Sequence, residues 1–167
     1  AGQYIDILLK DGKRRSFSIA NAPHDDEFLQ LHARNYPGGV FTEHVFTTMK
    51  VKDMLRFRGP LGSFFLRDTP EGVPIIFLAS GTGFAPIKSI LEHVFFQEKK
   101  RGSKQKIILY WGARTKADLY LTDLPAQWQR EHENFTYIPV LSEPLVSDHW
   151  ERRTGLVHQA VLQDFND

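Results

Sequence analysis

Three short stretches carry residue types suited to holding phosphates or a planar aromatic group. In the first, Ser80-Gly81-Thr82-Gly83 interrupts an apolar run from Ile75 to Ala79, and a helical pattern starts at Ala85-Pro86. Glycines at 81 and 83 let a backbone turn sharply and approach a ligand with no Cβ in the way. Pro86 suits a first helical turn, where its missing N–H costs nothing. The outcome is a helix N-terminus at the end of a strand, whose free N–H groups and positive dipole end favour a pyrophosphate. The turn departs from the fingerprint G-x-G-x-x-G, because Pro86 stands where the third glycine would. Taken alone, such a turn is equally a tight connection between two elements.

The second stretch is Arg15-x-Phe17-Ser18. Two-residue alternation on a strand puts Arg15 and Phe17 on one face and Ser18 on the other. Without company this is also the pattern of an ordinary edge strand. The third runs from Tyr110 to Leu124. A strand ends at Gly112, Arg114 follows, and Asp118-Leu119-Tyr120 leads to a helix start at Thr122 or Asp123.

The elements that must position these residues fall into two kinds. Up to about Arg67 the pattern is β. Tyr4 to Leu9 predicts a strand, Asp11-Gly12 a turn, and Arg15 to Ile19 the returning strand. Phe28, Leu29, Leu31 and Ala33 predict a third strand. Val40 to Met49 predicts one short helix after the Gly38-Gly39 loop, and two more strands are expected at Leu55–Arg58 and Phe64–Leu66, around Gly59-Pro60. Short strands with turn residues and one helix predict a small antiparallel barrel. "RDTPEGVP", Arg67 to Pro74, is the predicted boundary, giving domains at 1–69 and 70–167. Beyond it, strands at Ile75–Ala79, Lys106–Trp111 and Phe135–Leu141 alternate with helices at 85–101, 124–132 and 156–165. Continuous apolar strands between helices predict a parallel sheet covered on both faces. The basic run ending in Gly102 reads as the close of a helix.

Composition narrows the function classes. The 167 residues, 41% hydrophobic and 13% aromatic, are enough for one sizeable core or two small ones. A net charge of +1 gives no reason to expect a nucleic-acid or anionic-membrane partner. With no cysteine, this chain holds no disulfide, iron–sulfur ligand or thiol nucleophile. Seven histidines show no HExxH or other metal spacing, so no metal site is expected. No apolar run approaches the ~20 residues of a membrane helix, and a cytoplasmic protein is the default expectation. "AGQYIDILL" starts within a strand and without Met, so the segment is read as N-terminally incomplete.

Four motifs stand in a fixed order: R-x-F-S at Arg15, P-G-G-x-F-T at Pro37, G-T-G-x-x-P at Gly81 and Y-W-G-A-R-x-x-x-D-L-Y at Tyr110. In that order the chain resembles the ferredoxin–NADP reductase superfamily. Within it, the chain is most similar to NAD(P)H–flavin reductases and to CDP-6-deoxy-glucoseen reductase and its dioxygenase-reductase relatives. The resemblance implies a flavin-binding antiparallel β-barrel, N-terminally incomplete, followed by an α/β parallel-sheet nucleotide domain, C-terminally incomplete. The implied cofactors are FAD and NADH or NADPH.

Residue roles follow from the same resemblance. It places the flavin ring beside Phe17, Ser18 and Ile19, with the Ser18 hydroxyl near the hydride-accepting N5 as the catalytic group. Arg15 would pair with the flavin diphosphate, where a planar fork suits phosphate oxygens. Gly38, Gly39, Val40, Phe41 and Thr42 resemble the family's diphosphate loop, with His32 and Arg34 pointing toward the same region. His32 is equally well a packed strand histidine. Gly81, Thr82 and Gly83 would meet the NAD(P)H diphosphate and nicotinamide ribose, with Gly112 and Arg114 near the adenosine. Arg114 suits a 2′-phosphate, an adenine face or solvent. Ser142 and Glu143, at the carboxyl edge of the third strand, are further candidates.

The expected function is hydride transfer from NAD(P)H to bound FAD, with electrons passing to an acceptor protein or a fused iron–sulfur domain outside this chain. The alternatives are a flavin reductase that releases reduced flavin, and a non-catalytic flavin- or nucleotide-binding regulatory module.

Overall fold

Apolar–polar alternation makes Tyr4–Leu8 a strand, β1, with Ile5 and Ile7 buried and Leu8 exposed. The chain turns at Asp11-Gly12, where Gly12 takes a φ of +80° and donates its N–H to the Leu9 carbonyl at 3.1 Å. It returns as β2, Arg14–Ser18, antiparallel to β1 with Phe17 opposite Ile5 and Arg15 opposite Ile7. The Gly38-Gly39 turn leads into α1, Val40–Thr47, and β3, Arg56–Leu61, pairs antiparallel with the other edge of β1. The result is an antiparallel sheet in the order β2-β1-β3. Ile5, Ile7 and Phe41 form its core, with Phe17, Ile19, Leu31 and Val45 packed around them.

Two expectations change here. The segment 28–33 forms no strand; it contributes a single bridge, Leu31 to Ile19. Around Gly59-Pro60 there is one strand, not two: β3 runs through the pair, and no strand forms at 64–66. Pro60 is tolerated because the pairing with β1 is irregular there, its register shifting between Tyr4 and Asp6, so the missing N–H falls outside the regular ladder.

The structure, a computed structural model, describes residues 1–70, 72–101 and 105–165. The helix-closing Gly102 expected from the sequence lies outside these residues. The described chain forms two units, one of Ala1–Leu66 with Ala85–Lys99, the other of Arg67–Phe84 with the described residues from 100 onward.

The second unit holds a parallel sheet. β4 (Ile75–Ser80), β5 (Ile107–Ala113), β6 (Phe135–Leu141) and the two-residue β7 (Arg153–Thr154) pair in that order. α2 (Phe84–Arg101) follows β4, α3 (Asp123–Glu131) follows β5, and α4 (Val157–Asp164) follows β7. β5 is buried along nearly its whole length, which explains its unbroken apolar sequence. Ile108 and Tyr110 pack with Val140 and Ala160 under α4, while Trp111, on the other face, stacks on Phe84 at 4.0 Å. Coverage of both faces fails at β4, the first strand in the order. Ile76 and Leu78, in register with Ile108 and Tyr110, are 38% and 47% exposed. Among the described residues no helix is long and apolar enough to cross a membrane.

Candidate functional site

In the first unit, the β2 residues meet the Gly38-Gly39 turn through two aromatic rings. Phe17 packs against Phe41 with centroids 5.4 Å apart, so R-x-F-S and P-G-G-x-F-T converge in space. Phe17, Ser18 and Ile19 are all half-buried, with Ser18 on the opposite face of β2 from Phe17. Arg15 is exposed, and its guanidinium donates to the Arg14 carbonyl at 2.8 Å. Ile19 also lines a cavity of about 260 Å³ with Asn21, Ala22, Phe28 and Pro60.

The turn itself is built for close approach. Gly38 has a φ of +76°, and a Cβ there would meet nothing within 4 Å, leaving its surroundings open. A Cβ on Gly39 would instead run into the Thr42 hydroxyl, which donates to the Gly39 carbonyl at 3.1 Å. Among the described residues no side chain caps the start of α1, so side chains leave its first N–H groups unclaimed. Arg34 lies over the Tyr36 ring, 5.8 Å from its centroid, and the Tyr36 carbonyl accepts the Gly39 N–H at 2.9 Å. These residues fit a diphosphate.

His32 belongs to a second cluster. Burial, and then the charge of Lys88, push its pKa down to about 4, which makes it a neutral imidazole at pH 7. Sequence reasoning missed this cluster. Lys88, only 7% exposed, donates to the Ala20 carbonyl at 3.3 Å, to Gln30 Oε1 at 3.1 Å and to Glu92 Oε2 at 2.9 Å. Ser89 donates to the Asn21 carbonyl at 2.8 Å. Two polar side chains of α2 therefore hold the backbone directly after Ser18-Ile19. The available signal was Lys88 with Glu92 four residues on, in an otherwise apolar helix face.

In the second unit, Gly81, Thr82 and Gly83 form a short 3₁₀ turn between β4 and α2. Gly81 has a φ of +51°, and a Cβ on Gly81 or Gly83 would meet nothing within 4 Å. The Gly81 carbonyl accepts the Trp111 indole N–H at 3.0 Å, which fixes the turn to β5. An open glycine turn leading into a helix fits the diphosphate of a dinucleotide.

Gly112 has another reason to be glycine. It is buried, and a Cβ there would lie 2.6 Å from Val157 Cβ, so its bare backbone admits α4. Arg114 emerges just past the end of β5. Its Nε and an η nitrogen donate to the two Glu143 carboxylate oxygens at 3.1 and 2.6 Å, a bidentate pair. The Arg114 hydrogen bond holds the exposed Glu143 carboxyl below its usual range. Asp118 accepts from the Thr115 N–H and hydroxyl at 3.1 and 3.0 Å and so secures the segment after Arg114. Among the described residues no group of three or more His, Cys, Asp or Glu is placed to hold a metal ion.

Comparison with known proteins assigns each part of the chain to a domain family. The oxidoreductase FAD-binding domain matches residues 1–66 and the oxidoreductase NAD-binding domain residues 77–167. The chain is 41% identical, over all of its length, to 48% of the CDP-6-deoxy-L-threo-D-glycero-4-hexulose-3-dehydrase reductase of Yersinia pestis. It is 35% identical, over 99% of its length, to 46% of DmpP, the reductase component of phenol 2-monooxygenase from Pseudomonas sp. (strain CF600). Among solved structures, the Amycolatopsis cytochrome P450 reductase GcoB superposes with a TM-score of 0.86 at 33% identity, covering 100% of this chain and 49% of that one. The chain spans about half the length of the curated relatives it matches. With two domain matches that leave only residues 67–76 between them, the chain belongs to the oxidoreductases that join a FAD-binding domain to a NAD-binding domain.

Proposed function

We propose that this chain is the cofactor-binding part of a flavoprotein reductase. It takes hydride from NADH or NADPH and passes electrons to an acceptor outside the chain, either a protein or an iron–sulfur group. The observation that carries this reading is the succession of a FAD-binding and a NAD-binding domain in one chain. We take the flavin domain as residues 1–69 and the nucleotide domain as 70–167. When bound, FAD supplies a ring that takes up a hydride and gives out electrons singly.

The protein's own residues bind and orient. Arg15 would exchange its exposed bond to the Arg14 carbonyl for a diphosphate oxygen. The uncapped start of α1, from Gly38 and Gly39 through Val40, Phe41 and Thr42, would hold the same group, with Arg34 adding positive charge beside it. Phe17 and Ile19 would form the apolar wall for the ring. The Ser18 hydroxyl would direct a hydrogen bond at the ring's reactive nitrogen. His32, kept neutral, would give that region a polar group without adding charge.

For the nucleotide, Gly81, Thr82 and Gly83 would receive the diphosphate and nicotinamide ribose. Arg114 would stand at the adenosine. Gly112 serves indirectly, by letting α4 pack against the end of β5, just before Arg114 emerges at the sheet's carboxyl edge. The gain from such a site is proximity and orientation. A separate acceptor accords with the name of one relative, the reductase component of phenol 2-monooxygenase.

Anaerobic titration of the full-length protein tests the proposal. Flavin absorbance should bleach on addition of NADH or NADPH. Flavin bands that persist with both would refute the enzyme and favour a binding module.

A further inference from the structure

We infer that Trp111 is a positioning residue of the nucleotide site. Its indole N–H locks the Gly81 carbonyl inward, so that the Gly81–Gly83 turn presents N–H donors to the diphosphate of NAD(P)H. This rests on the reading that the turn receives that diphosphate, and it adds which side chain makes the turn able to do so.

The need for a lock comes from the turn itself. Gly81 has a φ of +51°, and a Cβ on Gly81 or Gly83 would meet nothing within 4 Å. Glycine in open surroundings is free to rotate its peptide groups. Ser80, at the head of the turn, makes no side-chain capping bond, so no local cap restrains it. A rotated Gly81 peptide would aim a carbonyl oxygen where an anion has to sit. Two bonds hold that oxygen on the inner side. One comes from the Phe84 backbone N–H, which most residues at that position would also supply. The other comes from the Trp111 indole N–H at 3.0 Å, 30 residues away in sequence. Together they engage both lone pairs of the oxygen.

Trp111 is itself held rigidly. It lies in β5 opposite Ala79 of β4 and is fully buried. Its ring stacks on Phe84 at 4.0 Å and 17°, and meets Tyr120 edge-on at 5.3 Å and 86°. Burial alone would be served by a phenylalanine or a leucine. The indole adds one donor, and a buried donor is costly without its acceptor. That donor therefore selects the carbonyl-inward turn from those that glycine allows. A ligand that binds one conformation only has its affinity reduced by the fraction of molecules in it. Loss of the indole bond thus acts on nucleotide binding, ahead of the chemical step.

Trp111→Phe in the full-length protein keeps an aromatic ring beside Phe84 and removes the donor. Calorimetric titration with NAD⁺ and NADP⁺ should show a Kd about tenfold higher for whichever nucleotide binds wild type, the effect of one lost buried hydrogen bond. With NADH or NADPH as reductant and ferricyanide as acceptor, the loss should fall on KM, about tenfold up, rather than on kcat per bound flavin. A purely structural role would instead lower Tm and flavin content and leave Kd and KM at wild-type values; that outcome would overturn the inference. Should Trp111→Phe fail to fold, benzothienylalanine incorporated at position 111 exchanges the N–H for sulfur in a ring of nearly the same size. It should give the same rise in KM, and a wild-type KM there would equally overturn the inference. A failure of the underlying reading looks different: wild type itself would bind neither nucleotide, and the inference would fall with it.

Discussion

Lys88 offers the sharpest test of how the backbone after Ser18-Ile19 is held. Its ammonium serves the Ala20 carbonyl, Gln30 and Glu92, and the ion pair with Glu92 Oε1 is 2.8 Å long. Lys88→Met keeps the volume and removes the charge. It leaves the carbonyl of fully buried Ala20 without this donor and Glu92 without its cation. An orphaned buried acceptor costs about 1–3 kcal/mol, and breaking a fully buried ion pair about 3–5 kcal/mol. The Glu92 side chain is 24% exposed, so water softens its loss. The expected net destabilisation is about 3 kcal/mol. For a protein of 150–250 residues that corresponds to a fall in Tm of about 6–12 °C. Thermal unfolding by far-UV circular dichroism measures it. Adding Glu92→Met should recover about 1–2 kcal/mol, because the stranded carboxylate is then gone. A Tm loss under about 2 °C in Lys88→Met, or no recovery in the double variant, would refute the reasoning.

Three further outcomes are expected. Gly112→Ala should destabilise the protein by about 1–3 kcal/mol through overpacking against Val157, and Val157→Ala should relieve it; chemical denaturation of the single and double variants checks both. His32, with a folded pKa of about 4 against an ordinary 6.5, stays neutral in the fold while the unfolded chain takes up a proton. Stability should therefore decline as pH falls from about 6.5 to 4, by about 1–2 kcal/mol for a half-buried, partly screened ring, and His32→Asn should flatten that slope in pH-dependent melts. Ser18→Ala should leave FAD bound but slow flavin reduction about ten- to a hundredfold in anaerobic stopped flow, the equivalent of ~1.4–2.8 kcal/mol of transition-state stabilisation; a wild-type rate would remove Ser18 from the catalytic role.

The second unit was largely legible because its chemistry is local. β5 and β6 sit inside the sheet, so their sequences are apolar along their length. The Gly81–Gly83 turn declares itself through glycine's access to positive φ. The family likewise lay in four short motifs, each a local geometry with its own residue demands. The first unit was less legible, since short strands depend on what pairs with them. Leu31 has strand-like neighbours yet makes one bridge, and β3 crosses a Gly-Pro pair that local rules read as a break.

Tertiary structure decided what depends on partners distant in sequence. The stretch Phe84–Arg101 reads as one amphipathic helix, but only the fold brings Lys88 to the Ala20 carbonyl, 68 residues away. Gly112 reads as the end of a strand, and only the packing of α4 shows why a side chain there would collide with Val157. Arg114 by itself suits a phosphate, an adenine or solvent. Its pairing with Glu143, 29 residues on, comes from two parallel strands ending in register, a relation that periodicity along one strand does not encode.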